Sequence, residues 1–593
     1  MPLTNRRGMR VFAAAVLAAG LAATSALPAG AASGPDAPPR TQPASAGITP
    51  GTGPVSLAVI VPLVVSPTTN GLVPADELAL LTSAGGDLTR QLDAVAGTPA
   101  AIALDPQILA SIRVLGTSAP ESARQWLARL DAVSNEVFLL AYGDADLGAA
   151  IRTDTLDALQ PSGFGFALDP ANFAPVDDTE PLPTPTPTAT DNPPPPADPD
   201  APPAFPSTDD LLAWESTLPR IAWPSGAFGQ AELPALVDAG YEHVLLSSNT
   251  TGDPAHPLIE LDGIQGVVID DAVSESLMIA TATASPAARA SALDALDAQL
   301  ATETALHPGR GIVAALDRTW PHTLPGLPDA LAQIASAASA NLVPLGEILA
   351  TTPGTGVLAE VDADEQHDAV FTSLAQAAAD ERAFSSVLAD PAPLLDPRRL
   401  ERLALYASAW SADDAGWAKA TNAFRTRSND IVTSVRLEQG SDLALLAAHA
   451  NVKIAVSNAL PFPVTVRVTA DPLGGILRVL DDQVLTLEPE STASAQLPVE
   501  AVANGQVTML TSLQSPTGVE LDSGRASVAV HAEWEGIGTL VVALVLGFIF
   551  VAGLLRLILI RRRGRRGTDA EADAEPESGS DAAPDATPRA SDG

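Results

Sequence analysis

One apolar run stands apart from the rest of the chain. From Ile537 to Ile560 the sole charged side chain is Arg556. A helix needs about 20 apolar residues to cross a bilayer, so the spacing predicts a transmembrane helix over 537–560. Trp534 stands at its leading edge, where an amphipathic ring suits the interface. Arg556 is near enough to the end to extend its guanidinium toward the headgroups. Arg561, Arg562, Arg563, Arg565 and Arg566 follow at once. Such clusters mark the cytoplasmic side, which predicts an N-terminal ectodomain outside and a C-terminal tail within. A buried core helix is the alternative, but core helices of this length normally carry a polar face.

Before the span the pattern has two periods. Between Val55 and Leu349, short continuous apolar runs alternate with Ala- and Leu-rich helical stretches. The runs include Val55–Val61, Ala100–Leu104, Glu136–Tyr142, Gly163–Leu168, Arg220–Trp223, His243–Ser247, Gly266–Ile269 and Gly311–Leu316. Continuous apolar strands alternating with helices predict a parallel sheet buried on both faces. Seven or eight such units suggest a closed or nearly closed α/β barrel over 54–350, with an open doubly wound sheet as the competing arrangement. A Pro- and Thr-rich insert, 181–206, interrupts this stretch. Proline fixes φ and removes a backbone donor, so the insert is expected to be a solvated loop that leaves the barrel and returns. Residues 351–430 read as a helical segment. After that the period becomes two: Val464, Val466 and Val468 alternate with Thr465, Arg467 and Thr469. Residues 431–533 are thus expected to form an all-β antiparallel sandwich.

The termini differ from all of this. Residues 1–31 have a charged start with Arg6, Arg7 and Arg10, an apolar stretch, and Ala29-Gly30-Ala31, the pattern of a secretory signal peptide. Residues 32–53 read as a flexible lead. Residues 561–593 combine the basic cluster with an acidic, disordered tail.

Charge and composition narrow the partners. The chain has 71 acidic and 32 basic side chains, a formal net charge of -39. That argues against nucleic acid, and against anionic lipid or teichoic-acid surfaces, as sticky partners. Cysteine is absent, so apolar cores alone must hold an exported fold. The Ala-, Pro- and Asp-rich, Lys-poor usage points to a high-GC genome, such as an actinobacterium.

Candidate chemistry sits at strand ends. Barrel enzymes carry catalytic groups at the C-terminal ends of strands. Asp105, Asp144, Asp270 and Asp317 fall there and are the catalytic candidates, since paired carboxylates can cleave a glycosidic bond. Asp146, Asp169 and Asp271 occupy similar positions. The plainer role for Asp105 and Asp169, each followed by proline, is to cap a helix or turn. Trp223 and Trp320 follow strands and are candidate ligand-binding platforms, although either could equally edge the core. The seven histidines show no paired ligand spacing, so neither a metal nor another cofactor is expected. Phosphate loops, dinucleotide fingerprints and Gly-x-Ser-x-Gly elbows are not found.

Two resemblances add to these readings. Arg220-Ile-Ala-Trp-Pro-Ser-Gly226 with Asp238-Ala-Gly-Tyr241, and Gly311–Asp317 with Leu342–Leu349, resemble segments of polysaccharide deacetylase-type barrels. That likeness implies a degenerate member of the glycoside hydrolase/deacetylase barrel type. The first strand ends Val61-Pro62-Leu63 without an Asp pair, the metal-binding histidine pair is missing, and Leu316-Asp317 stands where those enzymes have His-Asp. The whole layout, with Leu104–Leu109, Tyr142–Asp146 and Ala455–Pro463, resembles an uncharacterised actinobacterial family of single-pass cell-envelope proteins. Its members are typically encoded near the flippase for lipid-linked peptidoglycan precursors. The resemblance implies a role in envelope biogenesis and supplies no catalytic residues. The expected partners are the lipid bilayer, a cell-wall glycan, or peptidoglycan-synthesis membrane proteins. The preferred expectation is a non-catalytic binding barrel, with a metal-independent glycan hydrolase as the alternative.

Overall fold

Strand Val55–Leu63 (β1) lies in the middle of the largest sheet, and its residues are buried on both faces, as its unbroken apolar run requires. The computed structural model describes residues 53–173, 205–251, 256–318, 326–438, 443–531 and 535–563. The expected signal peptide, nearly all of the flexible lead, the insert up to residue 204, Trp320, Trp534 and the tail beyond Arg563 lie outside the described residues.

On one side β1 pairs in parallel with Gly311–Ala315 (which becomes β8 in chain order). On the other its second half pairs with Ala101–Leu104 (β2), which pairs with Val137–Leu139 (β3). Beyond β8 come Ile264–Ile269 (β7), His243–Ser247 (β5) and Ile221–Ala222 (β4), all parallel. Leu258–Leu261 (β6) is antiparallel to β7 and pairs with Gly354–Thr355 (β10). Ala340–Leu342 (β9) pairs with the first residues of β1.

The expected degenerate, deacetylase-like α/β barrel is not what forms. Among the described residues the sheet is open: β3 ends one side, β4 ends the other, and neither pairs with the other. One departure is at Gly163–Leu168, which the apolar pattern assigns to a strand. Gly165–Ala167 instead form a single 3-10 turn, and Phe164 is buried in the core beside that turn. The curved sheet is a half-barrel. From β3 to Phe173 the chain is a series of short helical turns together with helix Leu147–Arg152, which packs against the helical segment. Asp146 N–H donates to Tyr406 O at 2.8 Å, and Ala145 bridges to Ala407.

The helical segment contains Glu365–Phe384, Ala392–Leu405 and Asp414–Val432. From Val435 the period-two pattern builds two curled sheets. Val435–Leu437 (β11), His449–Asn458 (β13), Ser491–Ala501 (β17) and Leu477–Val479 (β15) form one sheet of four strands. Leu443–Leu445 (β12), Glu520–Val530 (β19), Gly505–Gln514 (β18), Val464–Pro472 (β14) and Gln483–Leu487 (β16) form the other, of five. Inward-facing Val466, Val468, Ile454, Leu497, Met509 and Val528 share one core. The expectation of a purely antiparallel sandwich needs correcting at one point, because β12 runs parallel to β19.

A final helix, Glu535–Arg563, contains the stretch Leu540–Arg561, with mean hydropathy 2.7. Among the described residues it alone is long and apolar enough to cross a membrane, and none of that stretch is buried by the rest of the chain.

Candidate functional site

The C-terminal ends of β4, β5, β7 and β8 open into one cavity of about 770 Å³. β4 leads into Trp223, Pro224 and Ser225, and the turn beyond them needs Gly226 at φ +68. Ser247 ends β5. Asp271 follows β7, and Asp317 and Arg318 follow β8. Two stretches of the helical segment complete the wall. One is 361–367, with Asp362, Asp364 and His367. The other includes Ala407, Ser408 and Ser411. Ser408 joins the two parts: its hydroxyl donates to Asp144 O at 2.8 Å and lies 2.7 Å from Ser225 Oγ.

The four expected carboxylates have separate surroundings. Asp105 is buried, and its Oδ1 accepts from Gln107 N at 2.8 Å and from Gly143 N at 2.9 Å. It therefore caps the helix Pro106–Arg113 and also pins the turn after β3. Burial pushes its carboxyl up to about 8, and the charge of Asp144 adds to the effect. The two backbone donors oppose both. Asp144 is also buried, with a left-handed backbone at φ +48. Burial raises it to about 6 against the pull of Arg318, and Asp146 and Asp317 push in the same direction as burial. Arg318 Nε lies 2.6 Å from Asp144 Oδ2, an ion pair bent away from a linear hydrogen bond. Asp270 caps the helix Asp271–Ala282 by accepting from Val273 N at 3.1 Å, and Arg310 Nη2 approaches its Oδ2 at 3.8 Å.

Of the candidates named from the sequence, Asp317 and Trp223 line the cavity. Asp105, Asp144 and Asp270 do not, and Trp320 lies outside the described residues. Trp223 is largely covered. The Arg318 guanidinium lies 4.3 Å from the centre of its ring, and Nη2 donates to Trp223 O at 2.6 Å. Of the other strand-end aspartates, Asp146 and Asp271 line the cavity, whereas Asp169 caps an exposed turn.

Arg152 and His367 carried no recognisable signal in the sequence, whereas Asp271 was marked by its place after a strand. Arg152 holds Asp368 through Nε at 2.7 Å and Nη2 at 2.8 Å, and donates from Nη1 to Ala227 O. His367 stacks on Trp417 at 4.8 Å and 24°, with Nε2 3.5 Å from Asp146 Oδ2. Asp271 Oδ2 accepts from Ser248 Oγ at 3.1 Å, Asn249 N at 3.1 Å and Asn249 Nδ2 at 2.6 Å, and from Ser247 Oγ as well. Both cavity arginines are therefore engaged within the protein. The wall also carries Asp146, Asp271, Glu275, Asp317, Asp362 and Asp364, so a ligand meets an excess of hydrogen-bond acceptors. Among the described residues no group of three or more His, Asp or Glu could hold a metal ion.

Residues 40–586, nearly the whole chain, match a family described as one of unknown function, DUF6049. The chain belongs to the DUF6049 family. No curated protein matches it. Three of the solved structures similar to this DUF6049 chain each match a small part of it. Native alpha-2-macroglobulin from Escherichia coli is 16% identical, with a TM-score of 0.14, and the match covers 16% of each chain. This chain thus spans about a sixth of that structure's length. The CARDB domain of the PF1109 protein from Pyrococcus furiosus is 16% identical, covering 17% of this chain and 93% of that one, with a TM-score of 0.13. The Escherichia coli chaperone DraB is 14% identical, covering 17% and 56%, with a TM-score of 0.13.

Proposed function

We propose that this DUF6049 chain is a membrane-anchored binding protein of an actinobacterial cell envelope. In this reading its folded N-terminal portion lies outside the membrane and its cavity receives a neutral, hydroxyl-rich ligand of the cell-wall glycan type. The lining of the cavity carries the reading. Its volume suits a ligand of a few rings. Carboxylates and serine hydroxyls converge on it, and these groups recognise sugar hydroxyls by accepting and exchanging hydrogen bonds. Both arginines are already committed to Asp368 and Asp144, which disfavours an anionic ligand. The Leu540–Arg561 helix and the arginines that follow it favour the anchored topology.

The test is a titration of the full chain, in detergent, with soluble N-acetylglucosamine oligomers. Asp317→Ala should weaken binding about tenfold, or about 1.4 kcal/mol, in a chain that still unfolds cooperatively. Unchanged affinity, or no binding by the parent chain, would overturn the reading.

A glycan hydrolase is the second reading. It draws support from Asp144, a carboxyl raised to about 6 that feels the charge of Asp317. Glycoside hydrolysis needs such an acid facing a carboxylate across the scissile bond. Against it, Asp144 is buried, paired with Arg318 and no part of the cavity wall. Release of new reducing ends by the parent chain, lost in Asp144→Asn, would favour hydrolysis over binding.

A further inference from the structure

The two ends of the curled-sheet domain differ in a way the cavity does not explain. The chain enters this domain at Val435, which pairs with Asn458 at the finish of β13. It leaves at Val530, which pairs with Gly505 at the start of β18. The start of β13, the finish of β17 and the start of β15 meet at the exit end: Ala501 N–H donates to Ala448 O, and Leu477 pairs with Ala501. His531 N–H donates to Leu445 O at 2.7 Å, so the departing chain runs beside that loop.

Three loops form the exit rim, and each presents an apolar side chain to solvent. Leu446 is 72% exposed, Leu473 58% and Val502 45%. The stretches 444–452, 472–477 and 501–507 contain no Asp, Glu, Lys or Arg, although 17% of the chain is charged and its net charge is -39. At the entry end the turn 488–490 carries Glu488 and Glu490, while 459–463 and 515–519 are uncharged, and Asp471, Arg478 and Glu500 lie on the strands that edge the exit rim. Solvent-facing loops of an acidic protein gain nothing from exposed leucines, whereas loops against lipid do.

Only His531–Trp534 separate Val530 from the helix Glu535–Arg563. Four extended residues reach at most about 14 Å and the helical residues 535–539 add about 7.5 Å, so a span beginning at Leu540 keeps the exit end within about 22 Å of the start of the span. We propose that this rim rests on the outer leaflet, with Leu446, Leu473 and Val502 dipping into the boundary between headgroups and acyl chains. The rim would thereby fix how far the cavity domain stands from the bilayer. The inference rests on the reading of Leu540–Arg561 as a membrane span.

The chain contains no cysteine, so single labels can be introduced cleanly. Full-length Leu446→Cys, Leu473→Cys, Val502→Cys, Glu488→Cys and Val545→Cys variants would each carry an environment-sensitive fluorophore. Each would be reconstituted into phosphatidylcholine–phosphatidylglycerol vesicles containing headgroup-level nitroxide lipids. The three rim labels should lose emission to an extent comparable with Val545→Cys, shift to the blue, and resist a water-soluble quencher, while Glu488→Cys does none of these. Quenching at Val545→Cys with solvent-exposed rim labels would overturn the rim contact and leave the span intact. An unquenched Val545→Cys would overturn the span and the rim contact together. Rim labels that cross-link to a second copy, without nitroxide quenching, would also overturn the lipid contact.

Discussion

Arg318 is the residue on which the candidate site most depends. It neutralises buried Asp144, covers the Trp223 ring and donates to the Trp223 carbonyl. Removing one partner of a buried ion pair typically costs about 3–5 kcal/mol, and Arg318→Met should lose stability on that order at alkaline pH. The loss should shrink as pH falls, because Asp144 without its partner escapes the penalty by taking up a proton. Asp105 and Asp144 impose a pH dependence on the parent chain as well. Their folded-state carboxyls lie above the ordinary 3.8, near 8 and 6. Over that interval the folded state holds more protons than the unfolded one. Stability is therefore full below 3.8 and falls as pH rises toward 8, by up to about 1.4 kcal/mol per pH unit for each group that is titrating. Asp105→Asn keeps an acceptor for Gln107 N and Gly143 N but cannot ionise. Denaturant midpoints measured across this range should show a flatter slope for Asp105→Asn than for the parent, and an equal slope would contradict the assignment. Of these residues the sequence marked the carboxylates, through their positions after strands. It did not mark Arg318 as their partner, because an arginine following a strand has no characteristic spacing.

At the scale of elements, the three long helices of the segment are joined by one buried charge network. Glu381 and Arg398 are 1% and 6% exposed. Arg398 Nε donates to Glu381 Oε1 at 2.9 Å, Ser428 Oγ donates to the same carboxylate, and Arg398 Nη2 reaches Phe424 O at 3.1 Å. The guanidinium also lies 3.8 Å from the centre of the Phe424 ring. Glu381→Ala leaves that guanidinium buried without a carboxylate at this position and should cost about 3–5 kcal/mol. Glu381→Met combined with Arg398→Met should cost clearly less than Glu381→Ala in the same denaturation assay. Elements with a strong period were legible from the sequence. The apolar runs became β1, β2, β5, β7 and β8, and the alternating valines became β14. The exception is Gly163–Leu168, an apolar run that forms a 3-10 turn. An isolated apolar stretch has the same composition whether it joins a sheet or buries a single ring, and here Phe164 enters the core without any ladder.

At the scale of the whole molecule, Gly163–Leu168 adds no strand to the large sheet. The helical segment packs against the chain that follows β3. The cavity is consequently built from parts far apart in sequence, the strand ends together with 361–367 and 407–411. Sequence spacing could point to Asp317 and Trp223 but not to His367 or Ser408, which become neighbours of the strand ends only through tertiary packing. The central claim is that this wall, with its arginines occupied and its carboxylates facing inward, selects a neutral hydroxyl-rich ligand. The most direct measurement is calorimetric titration of the full chain with an N-acetylglucosamine oligomer and, in parallel, with the same oligomer bearing carboxylates. The account predicts saturable binding of the neutral form, one per chain, and at least about tenfold weaker binding of the anionic form, a difference of about 1.4 kcal/mol. Equal or tighter binding of the anionic form would contradict it.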